Sequence, residues 1–183
     1  MSSLTIVDRF VPRSIPSDIA IVAAGAALTA IAAQIQIPMF PVPKTLQTFA
    51  VLLVGAALGA GRAALSMTVY LAMGAVGMPV FAGAKTLSGV LPTAGYLVGF
   101  VAAAALIGFL SSRGFGKSPI KLALAFALGS SVIYALGAGG LMISLGLSLE
   151  QALVAGVLPF LLGDVVKAVL AAAALPLAWK LLQ

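Results

Sequence analysis

From Gly95 to Leu110 the chain reads GYLVGFVAAAALIGFL, sixteen residues without a charge, an amide or a proline. Apolar and polar residues do not alternate along it. That excludes the period of two that a half-buried strand or a transmembrane β-strand shows. In hydrocarbon a segment has to satisfy its own backbone N–H and C=O groups, and a helix does so without a neighbour. The run therefore predicts a membrane-spanning helix. Similar stretches recur along the 183 residues, and only 8% of the chain is charged, against roughly 25% in soluble domains.

At ~20 residues per crossing, the chain has room for about six spans. The expectation is an all-α integral membrane protein, a single transmembrane domain over residues 1–183 whose residues 1–18 form a cytoplasmic N-terminal segment. Breakers and charges place helices near 19–36, 46–60, 63–78, 95–112, 120–137 and 159–181. The connection PMFPVPK, Pro38 to Lys44, is proline-rich and is expected to be extended. PVFAGAKTLSGVLPTA, residues 79–94, forms a long outer loop between the third and fourth helices; it is too apolar to be merely solvated, and loops of this length are often functional. Glycines between Gly137 and Leu158 suggest a loop with a short re-entrant helix.

The N-terminal stretch MSSLTIVDRFVPRSIPSD lacks the compact apolar core of a signal peptide. The chain contains no Cys and no His, which argues against disulfides, iron–sulfur clusters and the usual zinc sites, so no cofactor is expected. Its net charge of +6 comes from scattered basic residues, a pattern that suits membrane edges rather than nucleic acid. Arg9, Arg13, Arg62, Arg113, Lys117, Lys121 and Lys180 fall on one side of the six-span arrangement and Lys44 and Lys85 on the other. The positive-inside rule then puts both termini in the cytoplasm.

One segment breaks the apolar pattern from within. PFLLGDVVKAVLA, Pro159 to Ala171, carries Asp164 and Lys167 three residues apart. At ~100° per residue they share one helix face. Asp164 precedes Lys180 by sixteen residues, roughly 24 Å along the axis, so the pair lies in the outer part of the membrane. Gln34, Gln36, Thr45, Gln47, Thr48 and Tyr96 fall at the same level, with Lys44 and Lys85 above them. A polar pocket open to the outside, roofed by the long loop, suits a small external ligand. Ionisable residues inside spans are usually functional; the competing reading is a pair that neutralises itself and ties the last helix to its neighbours.

Two further features carry less. SSRGFGKSP, Ser111 to Pro119, ends like a phosphate-binding loop but has Ser111 where the first glycine belongs, and no strand precedes it. Alanines at four-residue spacing on the first helix (Ala20, Ala24, Ala23, Ala27) permit close helix packing, within the bundle or against a partner.

PVPKTLQT, GYLVGF and PFLLGDVVK, taken together across roughly Ile37 to Ala172, resemble the BioY family of biotin transporters, the substrate-binding S components of energy-coupling-factor transporters. The resemblance implies a six-helix protein of a prokaryotic inner or plasma membrane that captures biotin from outside. It implies partnership with a transmembrane T component and cytoplasmic ATPase subunits, although some members occur without dedicated partners. It also implies that the chain is not an enzyme and has no ATPase of its own. By the family pattern Asp164 and Lys167 bind the biotin head, with Tyr96 and Gln47 in the pocket. Phe81, Val80 and Leu91 would cover the rings and tail, and Lys85 would take the tail carboxylate. The chain reads LPTAGY, with Leu91 and Ala94, where the family usually has GPTGGY. A transporter for another vitamin or small organic anion is the alternative, and a non-transporting membrane protein is a third class.

Overall fold

The structure, a computed structural model, describes residues 7–12, 14–88 and 91–181, with side chains as far as Ala173. Arg13 and the side chain of Lys180 lie outside the described residues. The chain is mostly helical. In order come α1 (Val7–Phe10), α2 (Ile15–Gln34), strands β1 (Gln36–Ile37) and β2 (Lys44–Thr45), α3 (Gln47–Leu58) and α4 (Ala60–Ala75). After residues 76–93 follow α5 (Ala94–Ser112), a 3-10 turn (Phe115–Lys117), α6 (Pro119–Leu145), α7 (Leu149–Gly156) and α8 (Leu158–Leu181). Among the described residues three helices, α2, α5 and α6, are long and apolar enough to cross a membrane. Helices α7 and α8, bent by 44° at Val157, make a fourth if counted as one span.

Helix α2 begins at Ile15, four residues before the expected start. Ser14 and Ser17 form a capping box: the Ser14 hydroxyl accepts from the Ser17 backbone N–H at 3.3 Å and Ser17 Oγ accepts from the Ser14 N–H at 3.1 Å. This satisfies two of the donors that a helix start leaves open. The proline-rich connection, expected to be extended, instead bends over residues 40–42 and doubles back, so that its ends pair, Gln36 with Thr45 and Ile37 with Lys44, as a short antiparallel ladder. That ladder brings Thr45 and Gln47 back beside the end of α2. On the opposite side of the bundle Arg62, at the start of α4, donates to Asp8 at 2.8 Å and also to Asp18. Helices α1 and α2 are thereby tied to the start of α4.

The largest departure from expectation lies between Gly137 and Leu158. No loop interrupts the chain at Gly137; α6 runs on to Leu145 and stops at Gly146, whose φ of 66° is left-handed. Two of the glycines that read as breakers, Gly137 and Gly140, are packing residues. Helix α5 is central, packed against α3, α4 and α6. Where α5 crosses α6, Gly95 faces Gly140 so closely that a Cβ on Gly140 would stand 2.8 Å from the Gly95 Cα. A Cβ on Gly137 would overlap the Tyr96 ring. Glycine costs about 1 kcal/mol in a helix interior relative to alanine, and close backbone contact offsets that here.

The α4–α5 connection turns Val80 and Phe81 inward, while most of its other described residues are exposed. Phe81 is buried and meets Tyr70 edge-on, with ring centroids 5.3 Å apart. The Tyr70 hydroxyl donates to the Val80 carbonyl at 3.1 Å, and the Gln34 amide donates to the Val80 and Phe81 carbonyls. Gln34 Oε1 also accepts from the Ala84 N–H at 3.2 Å. Gln34, which the sequence places at the level of Asp164, is the clamp that holds this segment to α2.

Gly140→Leu is expected to separate α5 from α6 and destabilise the protein by about 1–3 kcal/mol, the usual cost of overpacking. Gly139→Ala, where an added Cβ would meet no atom within 4 Å, should leave the thermal midpoint of the detergent-purified protein unchanged or slightly raised. Equal midpoints for both variants would remove the crossing as the reason α6 continues.

Candidate ligand-binding site

Asp164 stands at the second turn of α8 and is 5% exposed. An ionised carboxylate at that depth is stable only if its lone pairs are used. Lys167 Nζ, one turn along the same face, donates to Asp164 Oδ1 at 2.7 Å, and Thr48 Oγ1 from α3 donates to the same oxygen at 2.9 Å. Tyr134 Oη from α6 donates to Oδ2 at 2.7 Å. Lys167 completes its set with the Thr45 carbonyl at 2.7 Å and Thr48 Oγ1 at 3.0 Å. All three ammonium protons are thus taken by the protein. Asp164 Oδ1 has two partners and Oδ2 has one, so the remaining acceptor capacity of the pair is on Oδ2.

These residues form one wall of a cavity between α3, α5, α6 and α8. Its other walls are mainly apolar: Val42, Pro43, Phe81, Leu97, Phe100 and Phe160 among them. The space between the walls, open solvent at the mouth included, is about 540 Å³. Only about 40 Å³ of it stands a full water radius clear of every atom, so the cavity is a narrow slot. Asp164, Lys167, Tyr96, Gln47 and Phe81 all line it. Lys85 does not. It is exposed, and it lines a separate outer cavity with Met39, Phe40, Pro41 and Leu91. The two cavities share Pro43, Phe81, Ala82 and Thr93 as a partition.

Two of the lining residues spend their polar groups on the protein. Gln47 donates to Tyr70 Oη at 2.7 Å and accepts from Thr45 Oγ1 at 3.0 Å, so its amide links the ladder to α4. Tyr96 donates to the Gly156 carbonyl at 2.7 Å. That carbonyl belongs to the last turn of α7, where the bend leaves it without a helical partner. Tyr96 therefore presents its ring to the cavity and its hydroxyl to the bend. Tyr134 was missed by sequence reasoning. It stands thirteen residues after Lys121, a depth of roughly 20 Å, which matches that of Asp164; this was the available signal.

Comparison with known proteins agrees with this architecture. The family model described as "BioY family" matches residues 5–183. A protein named "Biotin transporter BioY" from Thermotoga maritima is 43% identical over 116 residues, 61% of this chain and 66% of that protein. A "Probable biotin transporter BioY" from Lysinibacillus sphaericus is 40% identical over 120 residues, 65% of this chain and 61% of that protein. The matched segments thus span less than two thirds of these two relatives. Among solved structures, the crystal structure titled as the S-component for biotin from an ECF-type ABC transporter superposes with a TM-score of 0.77 at 25% identity, covering 92% of this chain and 95% of that one.

The hydrogen bonds around the pair give it a structural role. Lys167→Met should leave a buried carboxylate without its cation and destabilise the protein by about 3–5 kcal/mol. Removing both charges with Asp164→Asn and Lys167→Met together should restore most of that loss. Thermal melts in detergent read both effects, and a Lys167→Met midpoint equal to the parent's would exclude the structural role.

Proposed function

Because the chain belongs to the BioY family, we propose that it is a membrane-embedded biotin-binding S component, which captures biotin in the cavity walled by Asp164 and Lys167 and serves its uptake. The observation that carries this reading is a largely buried acid–base pair on the wall of a mainly apolar slot. The ureido ring of biotin bears two N–H donors and one strong carbonyl acceptor, and its thioether ring and aliphatic chain are apolar. One ureido N–H donates to Asp164 Oδ2, where acceptor capacity remains. The ureido carbonyl takes a proton of Lys167 in exchange for the bond to Thr48, the longest of the three at 3.0 Å. Phe81, Phe100, Leu97 and the Tyr96 ring enclose the apolar parts.

In this reading α3 and α4 are spans too, shortened and sheathed by their neighbours, which gives six membrane-crossing units. The positive-inside pattern supports cytoplasmic termini and a cavity mouth facing outward. The tail carboxylate passes the Phe81–Ala82 partition toward Lys85, the cation of the outer cavity. The segment over residues 76–93 acts as the lid, since the slot is too narrow for a bicyclic ring unless a wall moves. Release to the inside is driven by a partner T component and ATPase subunits, because the chain's one phosphate-loop-like stretch is a 3-10 turn leading into α6.

Purified in detergent, the chain should bind biotin at submicromolar concentration, and other vitamins should not displace it; failure of biotin to bind sinks the reading, and displacement by another small anion would redirect it. Asp164→Asn should weaken biotin by about 10–100-fold, the range for a hydrogen bond to a charged group. Lys85→Met should weaken biotin more than it weakens biotinamide, which has no carboxylate. Equal losses in isothermal titrations would remove Lys85 from the tail site.

A further inference from the structure

Tyr134 occupies a position that the reading above does not use. Its ring borders two spaces at once. One is the slot; the other is a groove between α6 and α8 lined by Ala127, Ser130, Ser131, Leu161 and Val165, and both spaces reach Asp164. Small residues on α6 leave that groove open beside α8, whose Val165 and Val169 are 59% and 60% exposed. Tyr134 thus stands between the slot and the apolar surround of the bundle.

Its hydroxyl controls the one part of Asp164 that has acceptor capacity left. Oδ1 is held by Lys167 and Thr48, from α8 itself and from α3. Oδ2 has a single partner among the described residues, the phenol of Tyr134 on α6. A carboxylate pivots about its Cβ–Cγ bond, and bonds to one oxygen alone leave the plane of the group poorly fixed. A donor on the second oxygen, coming from a different helix, fixes it. The phenol has one proton, and it is spent on Asp164, so Tyr134 has none to give a ligand carbonyl.

We propose that Tyr134 is a positioning residue for head-group recognition: its hydroxyl fixes the plane of the Asp164 carboxylate so that the remaining lone pair of Oδ2 meets one ureido N–H. The proposal rests on the biotin reading, and it concerns specificity among ligands that share the rest of the molecule. Loss of the hydroxyl costs most for a ligand that uses the Oδ2 lone pair. A ligand that lacks the corresponding N–H has little to lose.

The test compares the parent chain with Tyr134→Phe, which keeps the ring and removes the hydroxyl. Each is titrated with biotin and with an analogue in which one ureido N–H is replaced by oxygen, each nitrogen in turn, by competition where direct binding is weak. Biotin affinity should fall about tenfold or more in Tyr134→Phe, while one of the two analogues falls by less than about threefold. Equal losses for biotin and both analogues would show a general loosening of the slot and overturn the proposal. A biotin affinity within about twofold of the parent's overturns it whatever the analogues do. So does a Tyr134→Phe chain that no longer purifies as a folded, monodisperse species, because the hydroxyl would then serve the bundle and not the ligand. Absence of biotin binding by the parent would instead refute the proposed function, a result distinguishable from all of these.

Discussion

A charge in an apolar helix has to be fully partnered or it will not stay charged. Asp164 and Lys167 meet that demand with groups from three other places: Thr45 at the end of β2, Thr48 on α3 and Tyr134 on α6. The demand therefore fixes more than the pair. It fixes how far α8 stands from α3 and α6, and it requires the proline-rich connection to return its chain to the cavity so that the Thr45 carbonyl is in reach. A bundle held by apolar packing alone would tolerate sliding of α8 along its axis. A set of bonds between 2.7 and 3.0 Å does not.

The rest of the frame is arranged around α5. Its first turn carries Gly95 and Tyr96, so the tightest helix crossing and the central aromatic of the cavity are adjacent residues. Gly137 and Gly140 on α6 make room for them. Removing side chains on one helix thus allows a large ring on the other to sit deep in the protein, with its hydroxyl reaching through to the bend between α7 and α8. Gln34, Tyr70 and Gln47 do comparable work near the α4–α5 connection, each spending a polar side chain on carbonyls or hydroxyls that would otherwise lie buried without partners.

Apolar runs, their lack of alternation and the (i, i+3) placement of Asp164 and Lys167 were legible without coordinates, because periodicity and composition carry them. So was the level at which Gln47 and Tyr96 fall, since counting residues along helices gives depth. Direction around a helix axis is harder. Tyr134 lies in an apolar stretch, and its partner is thirty residues further on, so nothing local marks it. Gly137 to Gly140 read as a break because glycine more often ends helices than joins them, and only the neighbouring helix shows which applies. Lys85 is the one cation in its loop, but the backbone bridge between Phe81 and Lys85 turns its side chain to the outer cavity, and a bridge of that kind leaves no sequence signature.

The bend at Val157 gives the last helix the mechanics of a lever. Asp164 is seven residues past it, about 10 Å along the axis, while α8 ends at Leu181, about 36 Å away. If the helix turns as a rod about the bend, a shift of about 0.5 Å at the carboxylate becomes about 1.7 Å at the far end by the same rise per residue. Such a turn converts a small local rearrangement at Asp164 into a displacement more than three times larger at the end of α8.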